Sequence, residues 1–264
     1  MKKYLFLFSA ISALISAPAV AADMPLKAPP PPAPVFSWTG PYFGVQGGFG
    51  WAQDTWLFPT GQVFTPAGQV AGTVNGFSPH MSGALFGGEI GYYIGMNNTP
   101  IVFGFEIAGD WSDVKQTVVG PFATLPNDSF KTKLEDLETY MARVGYATGN
   151  WLWYVEAGAG TGRVTLTGAS AAPNAAAGAT FSTSDRLGGL AVGGGIDTVW
   201  DHWLLGVEYK YVDLGTFGNR TFNAVCSAAA GTCIAAGATV PVTVGDGSNG
   251  FHVQAILGRL GYKF

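Results

Sequence analysis

The chain has 264 residues, with 13 Lys and Arg against 17 Asp and Glu, a formal charge of −4, and only 11% charged residues beside 48% hydrophobic ones. This balance offers no basic face for nucleic acid, and three scattered histidines do not supply a metal cluster. A secreted, soluble β-sandwich is disfavoured as well, because its surface would normally carry more charge.

The chain opens with Lys2 and Lys3, an apolar run from Tyr4 to Ile15, and the small-residue site Ala19-Val20-Ala21. This order marks residues 1–21 as a cleaved secretory signal; the run is too short for a spanning anchor and Pro18 interrupts its end. Cleavage removes two lysines, leaving 11 basic residues against 17 acidic ones, so the charge moves from −4 to −6. Residues 22–37 include Pro29 to Pro32 and Pro34, which neither pair in a sheet nor continue a helix. They read as an extended periplasmic lead.

From Trp38 to Phe264 the pattern has period two, the spacing of strands with two unlike faces. Phe43, Val45, Phe49 and Trp51 alternate with Gly44, Gln46, Gly48 and Gly50. Phe86, Ile90, Tyr92 and Ile94 alternate with Glu89 and Gly91, and Ile101, Phe103, Phe105, Ile107 and Trp111 with Gly104, Glu106 and Asp110. Tyr140, Val144 and Tyr146 stand against Thr139, Arg143 and Gly145; Trp151, Trp153 and Val155 stand against Glu156, Gly158 and Gly160. Three more segments set Leu190, Val192 and Ile196 against Gly193, Gly195 and Asp197, then Leu205, Val207, Tyr209 and Tyr211 against Gly206, Glu208 and Lys210, and finally Ile256, Leu260, Tyr262 and Phe264 against Arg259, Gly261 and Lys263.

Connections alternate in length. Ala52 to His80, Ser112 to Asp136, Thr165 to Asp185 and Gly215 to Gly250 are long, whereas Gly95 to Pro100, Ala147 to Asn150 and Val199 to His202 are tight. That asymmetry belongs to outer-membrane barrels, and a sheet can cross hydrocarbon only when closure leaves no backbone group unpaired. The expected fold is therefore all-β: an eight-stranded antiparallel transmembrane β-barrel with short periplasmic turns and four long extracellular loops. Trp38, Trp51, Trp111, Trp151, Trp153, Trp200 and Trp203 fall where interfacial aromatic girdles would lie.

Five stretches carry a resemblance: FSWTGPYFGVQGGFGW at Phe36 to Trp51, GGEIGYYIG at Gly87 to Gly95, RVGYATGNWLWYVEAGAG at Arg143 to Gly160, GGGIDTVWDHWLLGVEYKYVDLG at Gly193 to Gly215, and the terminal GRLGYKF. In this order they resemble the porin-like outer-membrane β-barrel domain family, small surface antigens of alphaproteobacteria. The resemblance implies a barrel of the OmpA type in the Gram-negative outer membrane, insertion by the barrel-assembly machinery, and loops exposed at the surface. It also makes Leu260, Tyr262 and Phe264 similar to the assembly signal of a last strand.

The inward charges Glu89, Glu106, Asp110, Arg143, Glu156, Asp197, Glu208, Lys210, Arg259 and Lys263 are the candidate chemical set. Eight strands leave a lumen that side chains fill, so mixed charges there are expected to pair as a plug, with an ion pathway as the alternative. No enzymatic role is expected. Glu106 and Asp110 sit two inward positions apart, roughly 13 Å at strand rise, too far to share acid and base work. His252 faces outward beside Gln254, and neither His80 nor His202 has an evident partner in the sequence, so no nucleophile–base pair emerges. Gly158-Ala159-Gly160-Thr161-Gly162 precedes no helix and reads as lumen-facing strand rather than a phosphate loop. Cys226 and Cys233, both in the last long loop, are expected to form a disulfide in an oxidising periplasm.

No cofactor is expected. The expected partners are outer-membrane lipid, lipopolysaccharide and the assembly machinery, with self-association left open. A structural and surface-presenting role leads; a small-solute porin and a surface binder of a small ligand such as haemin are the alternatives.

Overall fold

The computed structural model describes residues 37–58, 74–120, 129–169, 180–225, 236–246 and 250–264. The signal and most of the proline-rich lead lie outside these residues, as do Cys226 and Cys233. The strands are β1 (Gly40–Gln53), β2 (Trp56–Phe58), β3 (Val74–Phe77), β4 (His80–Gly95), β5 (Ile101–Ser112), β6 (Lys115–Val119), β7 (Ser129–Thr148), β8 (Trp151–Ala169), β9 (Thr180–Trp200), β10 (Trp203–Asp213), β11 (Arg220–Val225), β12 (Thr239–Asp246) and β13 (His252–Lys263).

Eight of these close on themselves. The ring runs β1-β4-β5-β7-β8-β9-β10-β13 and returns to β1, every neighbour antiparallel. The final seam is continuous, from Tyr42 opposite Lys263 to Gln53 opposite His252. Closure satisfies the ladder groups that an open edge would strand in hydrocarbon. The tight ends use left-handed residues where reversal demands them: Gly149 at φ +65° and Asp201 at φ +58°.

The two faces follow the alternation expected along each strand. Phe43, Phe49, Phe86, Ile90, Phe105, Ile107, Tyr140, Val155, Val192, Val207 and Ile256 are exposed on the outer wall, while their neighbours in sequence point inward and are mostly buried. Trp111, Trp151, Trp153, Trp200 and Trp203 are also on the outer wall. Trp38 is a correction: it is only 5% exposed and turns beneath the barrel, its indole N–H donating to Gly149 O at 3.1 Å.

The long connections also differ from expectation, because much of their length is strand. β7, β8 and β9 are 20, 19 and 21 residues long and run beyond the apolar wall. β6 pairs with β7, and β11, β12, β2 and β3 extend the sheet above the ring. The outward faces there carry Thr, Ser, Lys and Arg, so they resembled loop in the sequence. The inward faces are apolar: Met81, Leu85, Val114, Leu134, Leu137, Val164, Leu166, Val212, Phe251 and Val253 form one buried cluster with Trp56 and Phe217.

Candidate functional site

Along each barrel strand, the inward side chains form three successive layers. At the end of the tight turns lie Trp38, Val102, Leu152, Val199 and Leu204, with the rings of Tyr42, Tyr93 and Tyr154 above them. A charged layer follows. Beyond it comes the apolar cluster that fills the far end.

Nine of the ten charges expected in the lumen meet in the middle layer, all buried. Six carboxylates (Glu89, Glu106, Asp110, Glu156, Asp197, Glu208) surround three cations (Arg143, Lys210, Arg259). Lys263 stands apart at the turn end, where its ammonium donates to Ser37 O at 3.1 Å and Thr39 O at 3.3 Å. The seam explains its position: Lys263 is paired across strands with Tyr42, whose ring occupies the space toward the charged layer.

Arg143 is the hub. Its Nη2 lies 2.8 Å from Glu106, 2.7 Å from Glu156 and 2.9 Å from Glu208, and its Nη1 donates to the Tyr93 hydroxyl at 2.8 Å. Its guanidinium carbon also lies 3.9 Å from the centroid of the Tyr154 ring. Arg259 donates to Glu89 at 2.8 Å, to Asp197 at 2.8 Å and to the Tyr154 hydroxyl at 2.7 Å, and pairs closely with Glu106. Lys210 Nζ stands 2.7 Å from Glu208 and 3.1 Å from Glu106. Asp110 accepts both of its bonds from the Gln46 amide, at 3.0 and 2.8 Å.

Carboxylates outnumber cations here, and tyrosines supply further donors. Tyr42 donates to Glu106 at 2.7 Å, Tyr93 to Asp197 at 2.6 Å and Tyr154 to Glu208 at 2.7 Å. Each hydroxyl also accepts from a guanidinium, which its lone pairs permit. The inward aromatics were missed in the sequence because each sits beside an outward aromatic: Tyr42 beside Phe43, Tyr93 beside Tyr92, Tyr154 beside Trp153. Strict period-two counting from those outward neighbours would have placed them inside.

Glycine makes the layer possible. Each of the nine central charges has a glycine directly across a neighbouring strand, for example Glu89 opposite Gly44, Glu106 opposite Gly91, Arg143 opposite Gly104, Lys210 opposite Gly193 and Arg259 opposite Gly206. Facing side chains on one sheet are close neighbours, so a long charged group reaches the axis only over a residue with no side chain. At Gly206 a Cβ would collide with Asp197 Oδ1, and at Gly91 with the Tyr42 ring.

Glu106, Glu156 and Glu208 each bring an oxygen within 4.8 Å of the others, a spacing that suits a cation. Arg143 Nη2 already stands among those oxygens. Glu106 and Asp110 engage different partners, with no shared acid and base arrangement. Two histidines do have neighbours that the sequence reading did not assign. The Tyr211 hydroxyl lies 3.1 Å from His252 Nδ1, with Asp213 at 3.5 Å, and His202 lies 3.1 Å from Asp201 while stacking on Tyr262. All are on the outer wall or at a turn, away from the lumen.

Leu260 and Tyr262 share the outer face of β13, and Phe264 follows just after the strand. Tyr262 and Phe264 form an aromatic group with Phe43 and Trp203, and the Phe264 N–H donates to Pro41 O at 3.0 Å.

The chain is similar to known proteins. The chain is 29% identical over 215 residues to the 31 kDa outer-membrane immunogenic protein of Brucella melitensis, covering 79% of this chain and 86% of the relative. Among solved structures it is similar to the outer membrane protein OprG from Pseudomonas aeruginosa, with 15% identity, coverage of 86% and 96%, and a TM-score of 0.37. Neisserial surface protein A shares 13% identity, with coverage of 84% and 97% and a TM-score of 0.36. Residues 7–264 match the outer membrane protein beta-barrel domain, so the chain belongs to that family and its place is the Gram-negative outer membrane.

Proposed function

We propose that this barrel is a sealed structural element of the outer membrane that presents its long connections at the cell surface. The observation that carries this reading is the filled lumen: a charged layer, with its ion pairs and hydrogen bonds, lies between two apolar layers. A conducting path along the axis would have to cross both apolar layers and displace buried ion pairs, whereas aqueous pores are built from many more strands. The name of the Brucella relatives, immunogenic proteins of the outer membrane, supports exposure of the connections.

The purified barrel in planar bilayers is expected to give no stable channels, and a haemin titration is expected to give no saturable absorbance shift. Steady monomer conductance would replace this reading with that of a small-solute porin. Stoichiometric haemin binding would replace it with that of a ligand carrier.

A further inference from the structure

Apart from the lumen charges, Lys and Arg of the barrel are confined to one stretch of the chain. Between Ser37 and Phe264, no Lys or Arg precedes Lys115, and none lies between Arg220 and Arg259. Setting aside the inward Arg143, Lys210, Arg259 and Lys263, every cation therefore falls between residues 115 and 220, on or beside β6 to β11.

Five of these cations lie where the apolar wall ends. Trp111, 73% exposed, begins a cross-strand row: it pairs with Asp136, Asp136 with Arg163, and Arg163 with Arg186. One step farther from the hydrocarbon, Lys115 stands directly opposite Lys133, and Lys131 follows on β7. Thr132 and Leu134 are buried inward, so Lys131 and Lys133 take the outward positions between and beside them.

This arrangement places like charges face to face twice, Lys115 with Lys133 and Arg163 with Arg186, which a free sheet disfavours. The neighbouring acids offset it only in part, engaging one member of each pair. Asp113 is engaged by Lys115 at 2.7 Å, Asp136 and Glu138 by Arg186 at 3.0 and 3.1 Å, and Glu135 by the Thr165 hydroxyl at 3.0 Å. Lys131, Lys133 and Arg163 form no side-chain ion pair among the described residues. The Asp113 carboxyl is held below its ordinary range by the Lys115 hydrogen bond, with Lys133 and Lys131 adding to the effect.

We propose that Lys131, Lys133 and Arg163, with Lys115 and Arg186 beside them, form a lateral binding site for the phosphate groups of an outer-leaflet glycolipid. This deepens the reading of the chain as an outer-membrane barrel and rests on it. The site sits just past an aromatic residue of the interface, at the depth where headgroups carry their phosphates. An anion between the facing cations relieves both like-charge pairs, and a juxtamembrane cation near an anionic surface contributes roughly a fivefold gain in affinity.

The test uses the full barrel refolded in detergent, with bisphosphoryl lipid A as the probe and native mass spectrometry as the readout. Removing the three cations that have no protein ion pair, as K131Q/K133Q/R163Q, is expected to lower lipid A retention on the order of a hundredfold. K131R/K133R/R163K keeps the charge and is expected to retain the lipid. Dephosphorylated lipid A is expected to bind wild type and the neutral variant equally. Equal retention of bisphosphoryl lipid A by wild type and the neutral variant would overturn the proposal. So would inorganic phosphate at equal concentration displacing the lipid, since the site would then be one for free phosphate. Heat-modifiable gel mobility reports barrel closure separately, so a failed barrel is distinguishable from a failed site.

Discussion

Arg143 shows how much of the lumen depends on single side chains. It holds three carboxylates at once, and Arg143→Met leaves buried Glu156 without its cation while Glu106 and Glu208 keep Lys210 and Arg259. Breaking a buried ion pair by removing one partner costs about 3–5 kcal/mol, far more than a pair contributes against an apolar replacement. Urea unfolding of the barrel in detergent is expected to register a loss of that order for Arg143→Met. Arg143→Met combined with Glu156→Gln is expected to recover part of it. A loss under about 1 kcal/mol would mean that the carboxylates find other partners. The charges themselves were legible from sequence, since Glu89, Glu106, Arg143, Glu208 and Lys210 fall on one face by parity. Their partners were only half legible: Tyr42, Tyr93 and Tyr154 are aromatic, and an aromatic residue in an apolar strand suggests lipid until its parity is counted. Trp38 was misread for a related reason, because a tryptophan at a strand end suits both an interfacial girdle and a plug.

At the scale of the element, β13 closes the ring, and its pairing with β1 and β10 draws on its whole length. The Phe264 ring lies 5.8 Å from Phe43 and 5.0 Å from Tyr262, while its N–H is bonded to Pro41 O, so Phe264 extends the seam by one bond and two ring contacts. A one-residue slip would put Arg259 toward lipid and Leu260 into the charged layer. Deleting Phe264 is therefore expected to lower the outer-membrane level severalfold while leaving export unaffected. Unchanged levels of a heat-modifiable barrel in membrane fractions would count against it. The eight wall strands were legible because lipid on one side and a filled lumen on the other impose period two. The outer lengths of β7, β8 and β9 were not, because water replaces lipid there. Thr165, Thr167, Ser182 and Ser184 face that water, and polar runs of this kind suggest loops. The inward half of the pattern, Phe130, Thr132, Leu134, Val164 and Leu166, was present in the sequence but lacked the greasy outer partner that drew attention elsewhere.

The whole molecule has two kinds of interior, and the difference governs how its surface behaves. Within the membrane the lumen is charged and the wall is apolar; above it the wall is polar and the interior is a hydrophobic core of the kind a soluble protein has. The external part of Ser129–Ala169 is therefore a packed extension of the barrel. Leu134 and Leu166 are both fully buried in that core, and truncating such a leucine costs about 2–5 kcal/mol when the cavity does not collapse. Because the membrane ring has its own charged layer and its own closure, that loss is expected to appear as local opening above the membrane rather than global unfolding. Protease added to intact cells is expected to leave Ser129–Ala169 uncut in wild type and to cut within it in L134A/L166A. Both barrels should keep the same heat-modifiable mobility. Cleavage of the wild-type segment at the rate of the double variant would show that the outer core contributes nothing, and that the long strands are held by their hydrogen bonds alone.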